Sequence, residues 1–487
     1  MPGRPRAAQW PGKYAPSRSY DAGMDEFRRA LQRATELITT YREELGTSRV
    51  SPEASRSEVV AALDVALPDA PAALDRVLEE LAERARPGLM ASSGPRYFGF
   101  VVGGSLDAAL IADLLATGWD QNGFNGALSP AALAFEDVAG RWLKELLHLP
   151  PTASVGFVTG AQGANTVGLA AARQHVLTQR GWNIARDGLF GAPRIKVLAG
   201  IERHATIDRA LRLLGIGEGA IVGLPADRNG ALDVASLEAA LAEEPGRPTI
   251  VCAQAGNVNT GACDDLQRIA TAAHAADAWV HVDGAFGLWA AASARTYPLV
   301  AGLELADSWA CDGHKWLNVP YDVGYAFCAH PETHAAAMAY TAAYLSGQVE
   351  GRALGGGDFV LESSRRARGF ATWAALRSLG RSGVADLVER CCVLARRLAE
   401  GLDAQPGIDV VNDVVLNQVL VRVGDEELTA RTEQRVQEDG TCWLGATTWQ
   451  GERLLRVSVS NWSTSAADID ACVEAIAKAR TAAVLPA

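Results

Sequence analysis

The 487-residue chain has no uninterrupted apolar run of the roughly 18 residues that a membrane-crossing helix needs, which argues against a membrane protein. Cysteine is sparse and scattered: the 8 cysteines, at positions 252, 263, 311, 328, 391, 392, 442 and 472, form no CxxC pair. Neither a redox couple nor a thiolate metal site is expected, and reduced thiols in a cytoplasmic protein are the simplest reading. Histidine is equally scarce, 8 residues with no HExxH or similar spacing, so no structural metal is expected. A GxxxxGK[ST] phosphate loop is missing too. Basic charge is in deficit, Lys+Arg 45 against Asp+Glu 57 for a net −12, which argues against nucleic-acid or anionic-membrane partners. Met1 to Ser19 carries several Arg and Pro but no apolar core of a signal peptide, and reads as a loose leader.

What is present fits a folded globular chain: 48% hydrophobic and 21% charged residues, with length for two or three lobes. From Met24 to Leu89 the pattern is helical. The amphipathic stretches MDEFRRALQRATELITTYREEL and LDRVLEELAERA bracket a shorter helical segment, with Pro52 and Pro68 as breakers. A polar, helix-only preamble makes little core by itself, so it is expected to pack on another subunit. After Pro95, short β-rich runs alternate with helical patterns: SVGFVTG, IKVLAG, TIVCAQA, AWVHVDGA, DSWACDG and VGYAFCA. Such alternation predicts an α/β fold, a largely parallel sheet covered by helices, with ligands outside the carboxyl ends of its strands. From Ala371 the pattern turns to helix, strand, strand, helix, a smaller α+β domain.

The strand ends carry the chemistry. Asp312-Gly313-His314-Lys315-Trp316 follows the strand SWAC, where a Lys in apolar surroundings beside a His is placed to act as a nucleophile; alone, it reads equally well as a solvated strand cap. The strand AWVHV ends in Asp283-Gly284-Ala285. A carboxylate at a buried strand end calls for a cation, and a protonated pyridine nitrogen is one; capping the next helix is the other use of such an Asp. SVGFV runs into Thr159-Gly160-Ala161-Gln162-Gly163-Ala164-Asn165 and then a helix, a turn whose small residues let backbone amides approach a phosphate, although many tight turns look alike. His204, after IKVLAG, can stack on a flat ring or bond a carbonyl, and Thr260, after TIVCAQA, can orient Asp283 or His204 or simply form a turn.

These residues, with GPRYFGF, SPAALAFE, TGAQGAN, HVDGAFG, DGHKWLNVPYDVG, SRRARGFATWAALR and SVSNW as landmarks, give a chain that resembles the group II pyridoxal-phosphate-dependent amino-acid decarboxylases from Pro95 to Thr464. HVDGA with a downstream HKW is the most specific part. The resemblance implies the PLP-dependent transferase fold (fold type I). It divides the chain into a leader and helical dimerisation arm (1–106), a large cofactor domain with a mostly parallel sheet (107–370) and a small C-terminal α+β domain (371–487). It implies a homodimer with sites at the interface, pyridoxal 5′-phosphate as cofactor and an L-amino acid as substrate. Lys315 would carry the cofactor as a Schiff base, Asp283 would pair with the ring nitrogen, His204 would stack on the ring, and His314 would lie near the phosphate and the Schiff base. Ala161 and Gln162 would hold the phosphate through backbone and side chain, Thr260 would support Asp283, and Asn165, Ala285 and Asp312 complete the cofactor-binding set.

The sequence departs from the family at three places. Gln162 replaces a frequent Ser, and Asp312-Gly313 replaces Asn-Pro. An Asp beside a phosphate is unfavourable, so Asp312 is expected to turn away or meet an Arg. No Tyr follows Tyr344, and Phe359 stands where some relatives have the loop Tyr that returns a proton to the substrate; a phenyl ring cannot donate one. Gly355 to Gly357 suggest a mobile lid. The main expectation is amine formation, with Tyr340, Tyr344 or another donor supplying the proton. An aldehyde synthase, an aminotransferase and a non-catalytic assembly protein are the alternatives. Arg366, Arg368 and Arg456 are candidates for carboxylate or phosphate contacts or for plain ion pairs, and Phe98, Phe100 and Trp119 lean toward a large or aromatic substrate.

Overall fold

The computed structural model describes residues 20–340 and 354–484. The leader 1–19 and Tyr344 lie outside them. The chain divides into two compact units, Met1–Ala91 and Ser92–Ala487. In the first, helices span Tyr20–Glu44, Arg56–Leu63 and Leu74–Ala85. Ser55 opens the second of these through a capping box, its hydroxyl accepting from Glu58 N while the Glu58 carboxylate accepts from Ser55 N at 2.8 Å. Arg33 ties the first helix to the third through Glu79 at 2.6 Å. Phe27, Leu31, Leu74, Val77 and Leu81 stay exposed on these helices, as expected of a segment with little core of its own.

The second unit holds both sheets. Its seven-stranded sheet comprises β1 (Ser154–Val158), β2 (Lys196–Gly200), β3 (Ile221–Leu224), β4 (Thr249–Gln254), β5 (Trp279–Asp283), β6 (Ser308–Asp312) and β7 (Gly324–Cys328), in the order β1-β7-β6-β5-β4-β2-β3. From β3 to β6 the pairs are parallel, and β7 runs antiparallel to both β6 and β1. All six apolar runs noted in the sequence are strands, and β1, β2, β4, β5, β6 and β7 are almost wholly buried, as a sheet covered on both faces requires. β3, an edge strand with two exposed residues, gives no such run. Four antiparallel strands, β8 (Ile408–Val410), β9 (Gln418–Val423), β10 (Gly445–Trp449) and β11 (Glu452–Ser458), form the second sheet in the order β10-β11-β9-β8. Among the described residues no helix is long and apolar enough to cross a membrane.

The core is rich in buried tryptophan, and two of the indole N–H groups find backbone acceptors: Trp309 donates to Leu303 O at 2.8 Å and Trp289 to Asp312 O at 2.9 Å, the latter pinning the end of β6. Buried His334 donates from Nε2 to Phe359 O at 3.0 Å and faces Ser154 Oγ with Nδ1 at 2.9 Å. Burial pushes its imidazole down to about 4, outweighing the Phe359 carbonyl, which favours the charged form. Because the folded value lies below the unfolded ~6.5, the neutral ring stabilises the fold above that pH, and this stabilisation is lost as pH falls from ~6.5 through the folded value. The loss should reach roughly 3 kcal/mol at most. Urea denaturation at several pH values should therefore show a shallower loss between pH 7 and 4 for His334→Leu than for the parent, and parallel curves would contradict this.

Candidate active site

The parallel strands end along one edge of the sheet, and the register aligns Gln254 with Asp283 and Asp283 with Ala310, two residues before Asp312. This edge gathers most of the residues singled out from the sequence. Asp283, 5% exposed, closes β5. Its Oδ2 accepts from Asn165 Nδ2 at 3.1 Å and lies 3.4 Å from Thr206 Oγ1, while Oδ1 takes only Ala285 N at 3.3 Å. No Lys or Arg among the described residues lies within 4 Å of this buried carboxylate. His204 caps the helix Ala205–Leu213, and its Nδ1 accepts from Thr206 N and meets Thr206 Oγ1 at 2.9 Å, which fixes the ring. Burial first, then the opposed charges of Asp283 and Lys315, set its imidazole below the ordinary value, so it is neutral at pH 7.

At the end of β6, Asp312 is 2% exposed and neither turns away nor meets an Arg, contrary to the expectation. Its Oδ1 accepts from Ala161 N at 2.5 Å and lies 3.5 Å from His314 Nε2, and Oδ2 is 3.2 Å from Lys315 Nζ. The reason is local: the helix Ala161–Thr178 starts here, and its free amides with their positive partial charge attract the carboxylate. Gly160 is required by close packing, since a Cβ would come within 2.9 Å of His314 Cε1. His314 accepts from Val323 N at Nδ1, and its ring lies 4.5 Å from that of Tyr321. Burial pushes the His314 imidazole down, with Asp312 opposing. Lys315 stands 6.0 Å from the Phe286 ring.

Other expectations need correction. Thr260 does not touch Asp283 or His204; its buried hydroxyl donates to Asn229 O at 2.5 Å and accepts from Ala262 N, because the Asn257–Gly261 turn uses it to hold a neighbouring loop. Thr206, unnoticed in the sequence because it lies inside a helical segment, makes those contacts instead. The Gln162 side chain donates to Thr206 O at 3.3 Å and to Thr166 Oγ1 at 3.5 Å, bridging two helix starts. Phe359 is buried against His334, its carbonyl beside Gly156 in the middle of β1, so it does not face Lys315. Gly357 is buried and donates to Phe124 O at 3.0 Å, and Gly356 and Gly357 pack closely on Leu133 and Phe124; residues 341–353 of the loop expected to act as a lid lie outside the described residues. Arg366 and Arg368 are paired with Asp113 at 2.7 Å and Asp322 at 3.0 Å. Arg456 has no such carboxylate within 4 Å among the described residues; it donates to Asn259 Oδ1 at 3.3 Å, and its charge reaches His204. Phe98 is core, Trp119 packs on Phe370, and exposed Phe100 lies 5.4 Å from Trp443.

Tyr321 borders His314, and Tyr97, stacked on Trp443, lies near Tyr321. Burial, then the neighbouring Tyr321, pushes Tyr97 up to about 12; burial, then the charge of Asp312, pushes Tyr321 up to about 12, although much of its ring surface is exposed. Both keep their protons at neutral pH.

Comparison with known proteins decides the class. A family model described as the pyridoxal-dependent decarboxylase conserved domain matches residues 56–423. The chain belongs to this family. It is 26% identical over 420 residues to an aromatic-L-amino-acid decarboxylase of Bacillus atrophaeus, covering 85% of each chain. It is 27% identical over 436 residues to a 4-hydroxyphenylacetaldehyde synthase of Rhodiola rosea, covering 84% of this chain and 86% of that one. Among solved structures, Oryza sativa TDC with PLP and tryptamine superposes with a TM-score of 0.88 at 24% identity, covering 96% of this chain and 99% of that one, which shows the shared fold. The protein is thus a fold type I, PLP-dependent amino-acid decarboxylase.

The residues present fit that cofactor. A buried carboxylate with one oxygen lightly used, Asp283 Oδ1, suits a protonated ring nitrogen. The helix start at Ala161 carries the positive partial charge that a phosphate site needs, with its Ala161 amide taken by Asp312 Oδ1 in this structure. Asp312 is the feature least suited to a phosphate, and Lys315 and the helix start offset its charge.

Proposed function

We propose that this chain removes the α-carboxylate of an aromatic L-amino acid as carbon dioxide and returns a proton to the α-carbon, giving the amine. The observation that carries the reading is the pairing of Asp283, buried without a cation, with Lys315 at the end of the adjacent strand. The names of the relatives, among them tryptophan and tyrosine decarboxylases, support an aromatic substrate.

When bound, pyridoxal phosphate supplies an electron sink for the pair left on the α-carbon. Lys315 Nζ would hold the cofactor covalently. Asp283, fixed by Asn165, would keep a proton on the ring nitrogen through Oδ1. His204, neutral and locked on Thr206, presents a fixed imidazole to the ring. Ala161 N, with Gln162, His314 and Asp312 around it, forms the phosphate end, and Arg456 adds positive charge for an anionic oxygen. Ala285 N, bonded to Asp283 Oδ1, would help hold that carboxylate. The proton for the α-carbon comes from Tyr321 or Tyr97, whose raised values keep them protonated. We assign the division 1–106, 107–370 and 371–487 to a dimerisation arm, a cofactor domain and a small domain. The working unit is a cytoplasmic homodimer, supported by the exposed Phe27, Leu31 and Leu81 of the arm.

The second reading, decarboxylation with oxidative deamination to an aldehyde, is favoured by the similarity to the Rhodiola rosea synthase and by the lack of any Tyr after Tyr344. A panel of L-tryptophan, L-tyrosine and L-phenylalanine under air separates the two: amine without peroxide supports the proposal, whereas aldehyde with ammonia and peroxide supports the second reading. In Tyr321→Phe the amine rate should fall roughly 10²-fold, the scale of a lost proton donor, with a larger aldehyde share. An unchanged product ratio and rate would remove Tyr321 from the mechanism. Phe359→Tyr, whose ring is buried away from Lys315, should leave the product ratio unchanged.

A further inference from the structure

We infer that a one-way hydrogen-bond relay, Trp279–Ser308–His281–Asn165, positions Asp283, with His281 and Ser308 acting as positioning residues two or more side chains away from any substrate. Trp279, His281 and Asp283 are alternate residues of β5 and so share one face of the sheet. Ser308 opens the neighbouring β6, and Asn165 projects from the helix Ala161–Thr178 laid over that face. Every member is at most 5% exposed, so the network is dry.

Its direction is fixed at both ends. An indole N–H only donates, and an ionised carboxylate only accepts. Trp279 Nε1 donates to Ser308 Oγ at 2.9 Å. At the other end Asn165 Nδ2 donates to Asp283 Oδ2 at 3.1 Å and to Thr206 Oγ1 at 3.1 Å, which leaves Asn165 Oδ1 facing His281 Nε2 at 2.9 Å. Nε2 must therefore carry the proton. Nδ1, 2.8 Å from Ser308 Oγ, must accept, and the Ser308 hydroxyl must donate to it. Every bond points toward Asp283. Burial, against the charge of Asp283, keeps His281 neutral by pushing it down to about 4, in keeping with a single tautomer. The helix makes room for the ring at Gly168, where a Cβ would come within 2.6 Å of His281 Cε1.

The relay saturates Oδ2 and leaves Oδ1 for the cofactor. If the Ser308 hydroxyl is removed, the imidazole is free to take the other tautomer, the Asn165 amide turns over, and its oxygen faces Asp283 Oδ2, where two acceptors repel. A change far from the substrate thereby disturbs the carboxylate. This inference rests on the reading that Asp283 meets the protonated ring nitrogen.

The test compares Ser308→Ala, His281→Leu and His281→Gln with Asp283→Asn as reference. Three quantities are measured: the dissociation constant of pyridoxal phosphate from apoprotein, the position of the bound cofactor's absorption band, and kcat and KM separately; melting of the apoproteins checks folding. Ser308→Ala and His281→Leu should weaken cofactor binding roughly tenfold and shift the band in the direction Asp283→Asn shifts it. They should lower kcat more than they raise KM. His281→Gln, which keeps a donor to Asn165 Oδ1, should recover most of the loss. If Asp283→Asn alters band and affinity while folded Ser308→Ala and His281→Leu stay within twofold of the parent, the relay is overturned and the role of Asp283 stands. If Asp283→Asn also changes neither, the role of Asp283 falls and the relay with it.

Discussion

Lys315→Ala is expected to abolish covalent attachment of the cofactor and to lower turnover by roughly 10³-fold or more, since the residue supplies the only bond that the mechanism makes between protein and cofactor. Borohydride reduction followed by peptide mass spectrometry reads this directly. The parent should carry the cofactor on the peptide containing Lys315, and the variant on none. Lys196 is an internal control: its side chain is 4% exposed, more buried than Lys315 at 18%, yet its Nζ is held by Ala240 O at 2.8 Å and by Glu244 at 3.3 Å. Burial alone does not make a nucleophile; a lysine at the start of β2, clasped by a carbonyl and carboxylates away from the carboxyl ends of the strands, should stay unlabelled. Label on Lys196, or equal label in parent and Lys315→Ala, would refute the assignment. The variant should fold, because among the described residues the side chain's ion pair is to Asp312, which keeps the Ala161 amide.

The second large effect concerns Asp283. Asp283→Asn keeps the shape of the side chain and removes its charge, so the ring nitrogen is no longer held protonated. A fall in kcat of roughly 10²–10⁴-fold is expected, the scale of a misplaced charge or proton in a site excluded from water. Cofactor affinity should suffer much less. Asp283→Glu, which restores charge at the wrong depth, should recover part of kcat. Steady-state kinetics with cofactor titration separates these outcomes, and a loss confined to affinity, with kcat intact at saturating cofactor, would deny Asp283 its electronic role.

Much of this site was legible because parallel sheets place chemistry at strand ends. Asp283 and Asp312-Lys315 end apolar runs that are consecutive in sequence, and those runs pair as β5 and β6. The runs themselves were readable because residues buried on both faces leave continuous apolar stretches; β3, β8 and β10, short and partly exposed, left none. Contacts between distant segments were not legible. Asp312 finds the amide of Ala161 across 151 positions of sequence, and no local pattern distinguishes that partner from an arginine. Thr206 and Thr260 both follow strands, and only the path of each loop decides which one reaches Asp283. The alternation of Trp279, His281 and Asp283 was a visible signal for the relay, since a His inside an apolar strand needs partners on both nitrogens. The packing of Phe359 on His334 is another contact between distant segments that periodicity does not reveal.

The central claim is that this chain decarboxylates an aromatic L-amino acid and reprotonates the α-carbon. Incubating the full chain, loaded with pyridoxal phosphate, with carboxyl-labelled L-tryptophan or L-tyrosine tests it most directly. The account predicts labelled carbon dioxide and the corresponding amine in equal amounts. A keto acid retaining the label, or no labelled carbon dioxide from either substrate, would contradict it.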